Sequence, residues 1–80
     1  MTVEILTLES VLLSTEAKSV VVPGKSGQFE MLNNHAPIIS ILKQGVIKVI
    51  DNNNDETLIE ISEGSIEMSN NKITILADAV

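Results

Sequence analysis

The chain has no cysteine, no arginine, no tryptophan and no tyrosine, and a single phenylalanine, Phe29, among its 80 residues. Each absence removes a class of function. Without cysteine there is no disulfide framework, no thiolate zinc site and no thiol nucleophile. Without arginine there is no bidentate fork to grip a phosphate or a carboxylate. Five lysines stand against eleven acids, for a net charge of −6. The basic face that sequence-independent nucleic-acid binding needs is therefore missing. No apolar run approaches the ~18 residues of a membrane-spanning helix. Met1-Thr2-Val3-Glu4 also puts an acid where a signal peptide carries basic residues. The expectation is a soluble chain, not exported by that route, whose membrane association would run through a partner.

What remains is a small aliphatic chain. Hydrophobic residues make up 44%, dominated by 11 Ile, 8 Val and 8 Leu. Most of these are β-branched, which favours pleated sheet over helix. The length suits one domain, residues 1–80. Short apolar runs separated by turn residues predict strands over Thr2–Leu8, Val11–Leu13, Lys18–Val22, Gln28–Leu32, Ile38–Leu42, Val46–Ile50, Thr57–Ser62, Ser65–Ser69 and Lys72–Leu76. Their centres recur about every 7–11 residues, as in an all-β sandwich or barrel. Only Ala36–Lys43 is ambiguous, since Pro37 could open a short helix. The β-branched run Ile38-Ile39-Ser40-Ile41 favours strand.

Candidate chemical motifs are few. Asp51-Asn52-Asn53-Asn54-Asp55 begins like a calcium loop, but Glu56 stands where the sharp turn needs Gly and Ser62 where a bidentate Glu is needed. A hairpin tip is the simpler reading. His35 is the only histidine and has no second ligand at metal spacing, so it is expected to organise a loop or touch a partner. Gly24-Lys25-Ser26-Gly27 lacks the spacing of a phosphate-binding loop and reads as a tight hairpin. Residues 51–67 carry six acids and no lysine, which reads as a solvated outer face, with an electrostatic docking surface for a basic partner as the alternative. No catalytic or metal-binding residue is assigned. Composition and spacing lead to an acidic β-sandwich or barrel that acts as an interaction module. A free-standing ligand-binding sandwich stays open as an alternative.

Four segments in register narrow this further. They are Val3-Glu4-Ile5-Leu6-Thr7, Val20-Val21-Val22-Pro23-Gly24-Lys25-Ser26-Gly27-Gln28-Phe29, Leu32-Asn33-Asn34-His35-Ala36-Pro37 with the following Lys43-Gln44-Gly45-Val46 turn, and Ser69-Asn70-Asn71-Lys72-Ile73-Thr74-Ile75-Leu76-Ala77-Asp78. Together they resemble the epsilon subunit family of F-type ATP synthases over essentially the whole chain. Gln28 replaces a usual Glu, Glu30 a usual Gly and Asn33 a usual Pro.

The resemblance implies a flattened antiparallel β-sandwich of about nine to ten short strands. It implies a non-catalytic central-stalk subunit that links the gamma subunit to the ring of c-subunits and helps couple rotation to proton or sodium flow. The complex would be peripheral on the cytoplasmic face of the bacterial inner membrane, with no cofactor in this domain, no nucleic-acid partner and no direct membrane insertion. The two C-terminal helices that follow the sandwich in most relatives, with the ATP site some of them carry, are expected to be absent from this chain. By position, Thr7, Ser10, Ala36, Pro37 and Ser40 would meet gamma. Ser26, Gln28, Glu30, Asn34 and His35 would meet the c-ring. The doubly apolar pairs Ile38-Ile39 and Leu6-Leu8 independently suggest a partner on a second face, because a two-layer sandwich buries only one.

Overall fold

A computed structural model describes all residues from Met1 to Val80. The chain is 74% strand with no helix. Seven strands follow in order: β1 (Thr2–Leu6), β2 (Val11–Gly24), β3 (Gly27–Leu32), β4 (Ile38–Leu42), β5 (Gly45–Asp51), β6 (Glu56–Ser69) and β7 (Lys72–Ala79). The all-β expectation holds, and Ile38–Leu42 is a strand. The count differs from the nine or ten expected, because two pairs of short strands are each one long strand. β2 and β6 are both 14 residues long.

These two strands build the architecture. The first half of β2 pairs with β1, and its second half pairs with β3 and β5. The first half of β6 pairs with β5, and its second half with β4 and β7. The hydrogen-bonded surface is therefore continuous but folds into two layers. One layer, the first sheet, runs β2–β1–β7–β6–β4, and the second runs β3–β2–β5–β6. The pairing is mixed and not wholly antiparallel as expected, since β1 lies parallel to β7 while every other pair is antiparallel. β1 and β7 are the first and last strands, so no hairpin constrains their direction.

Each long strand changes its inward parity at the bend. In β2 the inward positions are Leu13 and Ala17, then Val20 and Val22, and the pairing with β5 slips between Ala17 and Ser19. In β6 they are Ile59 and Ile61, then Ile66 and Met68, and the pairing with β7 slips between Ile61 and Glu63. An extra residue of this kind bends a strand and re-aims its side chains. It lets one strand face the same core from both layers. Gly64 lies just past the bend of β6, where an added Cβ would sit 2.6 Å from the Leu76 carbonyl oxygen. Only glycine lets β6 and β7 approach this closely.

The core is aliphatic. Val3, Ile5, Val20, Met31, Ile47, Ile61, Ile73 and Ile75 are wholly buried. Each large aliphatic buried this way contributes about 1.5–3 kcal/mol relative to exposure. Phe29 is only half-buried and lies over Gly24, closing the β2–β3 hairpin at its Lys25-Ser26 tip. Asn70 and Asn71 both have positive φ, 53° and 60°. This is the type I′ turn that a two-residue hairpin connection requires, and it joins β6 to β7 with Ser69 opposite Lys72.

Candidate interaction surface

The outward residues follow from strand register. On the first sheet, Ile41 of β4 lies opposite Ser65 of β6, Ser65 opposite Leu76 of β7, and Leu76 beside Leu6 of β1. Directly paired residues share a face, so Ile41, Leu76 and Leu6 form one apolar row across the sheet. Ile41 is 57% exposed, Leu76 53% and the neighbouring Ile39 78%. Because Gly64 and Ser65 are small, the row dips over β6. The result is a depression of about 420 Å³ lined by Leu6, Leu8, Ile41 and Leu76, with Thr7 at its border and Glu63 and Asp78 among its polar residues. A second depression of similar size lies toward the other end of β4, against Pro37, Ile39 and Met68.

The residues expected to meet gamma sit around this face. Thr7 and Ser10 form a turn in which the Ser10 N–H donates to Thr7 Oγ1 at 3.1 Å and the Thr7 N–H donates to the Ser10 carbonyl at 2.9 Å. The turn lies at the Leu6–Leu76–Ile41 end of the sheet. Ala36 and Pro37 are exposed at the opposite end, beside the β6–β7 turn. Ser40 lies between them but shares inward parity with Ile38 and Leu42 and is only half-exposed. The neighbours Ile39 and Ile41 therefore present the outer face of β4.

The residues expected to meet the c-ring lie along β3 and beyond it. Gln28 and Glu30 are exposed on one face, with Phe29 and the buried Met31 on the other, as strand alternation requires. Ser19, itself buried, donates its hydroxyl to Glu30 at 2.6 Å, so this carboxylate is held against β2. Ser26 is at the hairpin tip, at one end of β3. Asn34 and His35 are in the loop beyond the other end. The His35 N–H donates to the Leu32 carbonyl at 3.1 Å, and its ring Nδ1 is 2.8 Å from the Ala36 carbonyl. A carbonyl only accepts, so Nδ1 carries the proton in this contact. The two sets thus divide by sheet and not by end of the molecule, and they meet in the loop of residues 33–37.

The tip of the acidic hairpin is closed by Asp51 and is also held from β2, where Lys18 Nζ donates to Asn54 Oδ1. The Asp51 carboxylate accepts the N–H groups of Asn53 and Asp55 at 2.8 and 3.0 Å, the ordinary work of a turn residue. The only ion pair joins the Met1 amine to Glu16 at 4.0 Å. Sequence reasoning singled out Leu6, Leu8, Ile38 and Ile39 but missed Ile41 and Leu76. Their signal was parity, since each alternates with residues that are buried. Only register shows that the two are near neighbours.

A two-layer sandwich with a contiguous apolar row on one outer sheet has the architecture of a protein that works through its surfaces. Comparisons place it within a family. The family model for the β-sandwich domain of the ATP synthase delta/epsilon chain matches residues 1–80. The ATP synthase epsilon chain of Campylobacter curvus is 40% identical over 75 residues, covering 94% of this chain and 58% of that one. The epsilon chain of Desulfitobacterium hafniense is 44% identical over 77 residues, covering 96% and 58%. A chain in the cryo-EM structure of the Euglena gracilis mitochondrial ATP synthase superposes with a TM-score of 0.89 at 17% identity, over 98% of this chain and 51% of that one. One in the central stalk and c-ring structure of the Tetrahymena thermophila enzyme gives 0.81 at 14% identity, over 98% and 63%. The chain belongs to the ATP synthase delta/epsilon family and corresponds to its β-sandwich domain. It spans a little under three-fifths of the length of these bacterial relatives.

Proposed function

We propose that the protein is a non-catalytic rotor element of an F-type ATP synthase, joining the gamma subunit to the c-ring in the central stalk. The complex would be peripheral on the cytoplasmic face of the bacterial inner membrane. Family membership supports the assignment, and the apolar row Ile41–Leu76–Leu6 is the structural observation that carries it. Contiguous exposed aliphatics on a monomer mark a contact surface. In this reading gamma covers the first sheet, with Thr7 and Ser10 at one end, Ala36 and Pro37 at the other and Ser40 between. The c-ring meets the β3 side through Ser26, Gln28 and Glu30, and the loop through Asn34 and His35. A rotor element must hold two interfaces while torque passes through it. A closely packed β core suits that role, because packed interiors transmit strain with little compliance.

The test is cysteine crosslinking in the assembled enzyme. Positions 28, 30 and 35 are expected to crosslink to the c-subunit loop, and positions 37 and 41 to gamma. Crosslinks to the c-loop from the Asp51–Glu67 region alone would mean that the domain docks the other way up.

A further inference from the structure

We propose that Asn71 is a positioning residue for the interface, fixing the loop of residues 33–37 that carries Asn34, His35, Ala36 and Pro37. The proposal rests on the reading of those four residues as partner contacts. The loop crosses from the second sheet to the first, outside any strand, with all five residues exposed. A segment so placed lacks a strand ladder to hold its shape. A turn closed by the His35 N–H on the Leu32 carbonyl starts it, and two side-chain bonds tie it to the rest of the molecule. The Asn34 N–H donates to Asn71 Oδ1 at 2.8 Å. The Met1 amine donates to Asn33 Oδ1 at 2.6 Å and to the Ala17 carbonyl at 2.9 Å. Asn34 also has a φ of 64°, the left-handed region that Asn adopts more readily than other non-glycine residues, within the Leu32–His35 turn.

Asn71 is well anchored for this role. Its backbone is set by the type I′ turn, and its carbonyl accepts the Thr2 N–H at 3.1 Å. The amide oxygen is thus presented from a site held by β1, β6 and β7 together. The turn itself needs only residues tolerant of positive φ, and Gly satisfies that as well as Asn. Asn70, the other turn residue, is exposed and its side chain makes no hydrogen bond to the loop. What the Asn71 side chain adds beyond turn formation is the acceptor for Asn34.

This separation gives a clean experiment. Asn71→Gly keeps the turn and removes the acceptor, Asn71→Asp keeps an acceptor oxygen, and Asn70→Gly changes the same turn without touching the loop. In the 80-residue protein, Asn71→Gly is expected to speed hydrogen exchange of the Asn34 amide about tenfold and to shift the His35 ring resonances. The melting temperature should stay within that of Asn70→Gly. Asn71→Asp should restore protection, and gamma binding should weaken about three- to tenfold for Asn71→Gly alone. Unchanged Asn34 exchange in Asn71→Gly, or equal effects of the two glycine variants, would overturn the role given to Asn71. Faster Asn34 exchange with unchanged affinity for both gamma and the c-ring would instead overturn the reading of residues 34–37 as partner contacts, and with it the positioning role.

Discussion

The outer faces of both sheets expose aliphatic side chains, more of them on the first sheet, and differ in how these are arranged. On the second sheet, Leu58 lies opposite Lys48 and Val46 opposite Glu60, so both have a charge as cross-strand neighbour, and Leu32 lies opposite Ser19 at the edge. On the first sheet, Ile41, Leu76 and Leu6 are consecutive, interrupted only by the small Ser65. Alternation with charge keeps apolar surface divided and hydrated, whereas a contiguous row offers a partner enough area to displace water cooperatively. Contiguity of apolar residues is what sets the proposed contact face apart from the solvent face. Both faces cover one core through β2 and β6, so their difference can be probed without separating them.

The largest expected effect tests that unity. Ile66 is buried on the second half of β6, and Ile66→Ala should cost about 2–5 kcal/mol. Urea unfolding, followed by probes on both sheets, should show one transition at a lowered midpoint. Two separate transitions would mean that the faces belong to independently folding bodies, and the comparison would lose its basis.

Next is the bend that joins the layers. Gly64→Val would push a side chain into the Leu76 carbonyl and should cost about 1–3 kcal/mol, read as a lowered Tm. A melting curve indistinguishable from the unsubstituted protein would show that the close approach of β6 and β7 is not needed.

The third experiment addresses the faces directly. Ile41→Lys on the first sheet and Leu58→Lys on the second are both exposed changes, expected to alter stability by no more than about 0.5 kcal/mol. Gamma affinity should fall at least tenfold, about 1.4 kcal/mol, for Ile41→Lys. It should change by less than about twofold for Leu58→Lys. Equal losses would show that the spacing of apolar residues does not choose the partner face.

The smallest effect sharpens the account of the second sheet. Ser19→Ala removes the donor to Glu30 and should cost about 0.5–1.5 kcal/mol in thermal unfolding. Glu30→Ala, which removes the acceptor, should overlap with it, giving a non-additive double-mutant cycle. Full additivity would mean that the carboxylate is not held against β2 in solution.

Much of the fold is legible in the sequence because it depends on local chemistry. The β-branched composition gives sheet, and the Gly24–Gly27, Asp51–Asp55 and Asn70–Asn71 segments give their hairpins, since turn residues act over two to five positions. The alternation of Gln28 and Glu30 with Phe29 and Met31 correctly separates outside from core, as the period of a strand is fixed by its own backbone. Tertiary structure decided what depends on residues far apart in the chain. The break in alternation near Lys18 and near Ser62 looks like the end of a strand, yet in each case the ladder continues through a bulge, because the core lies on the same side of both halves. The parallel pairing of β1 with β7 and the meeting of Ile41, Leu76 and Leu6 in one row depend on residues 35 or more apart in the chain. So does the bond between Asn34 and Asn71, 37 residues apart. Local propensity carries no information at that range, and only closure of the sandwich around its core brings these residues together.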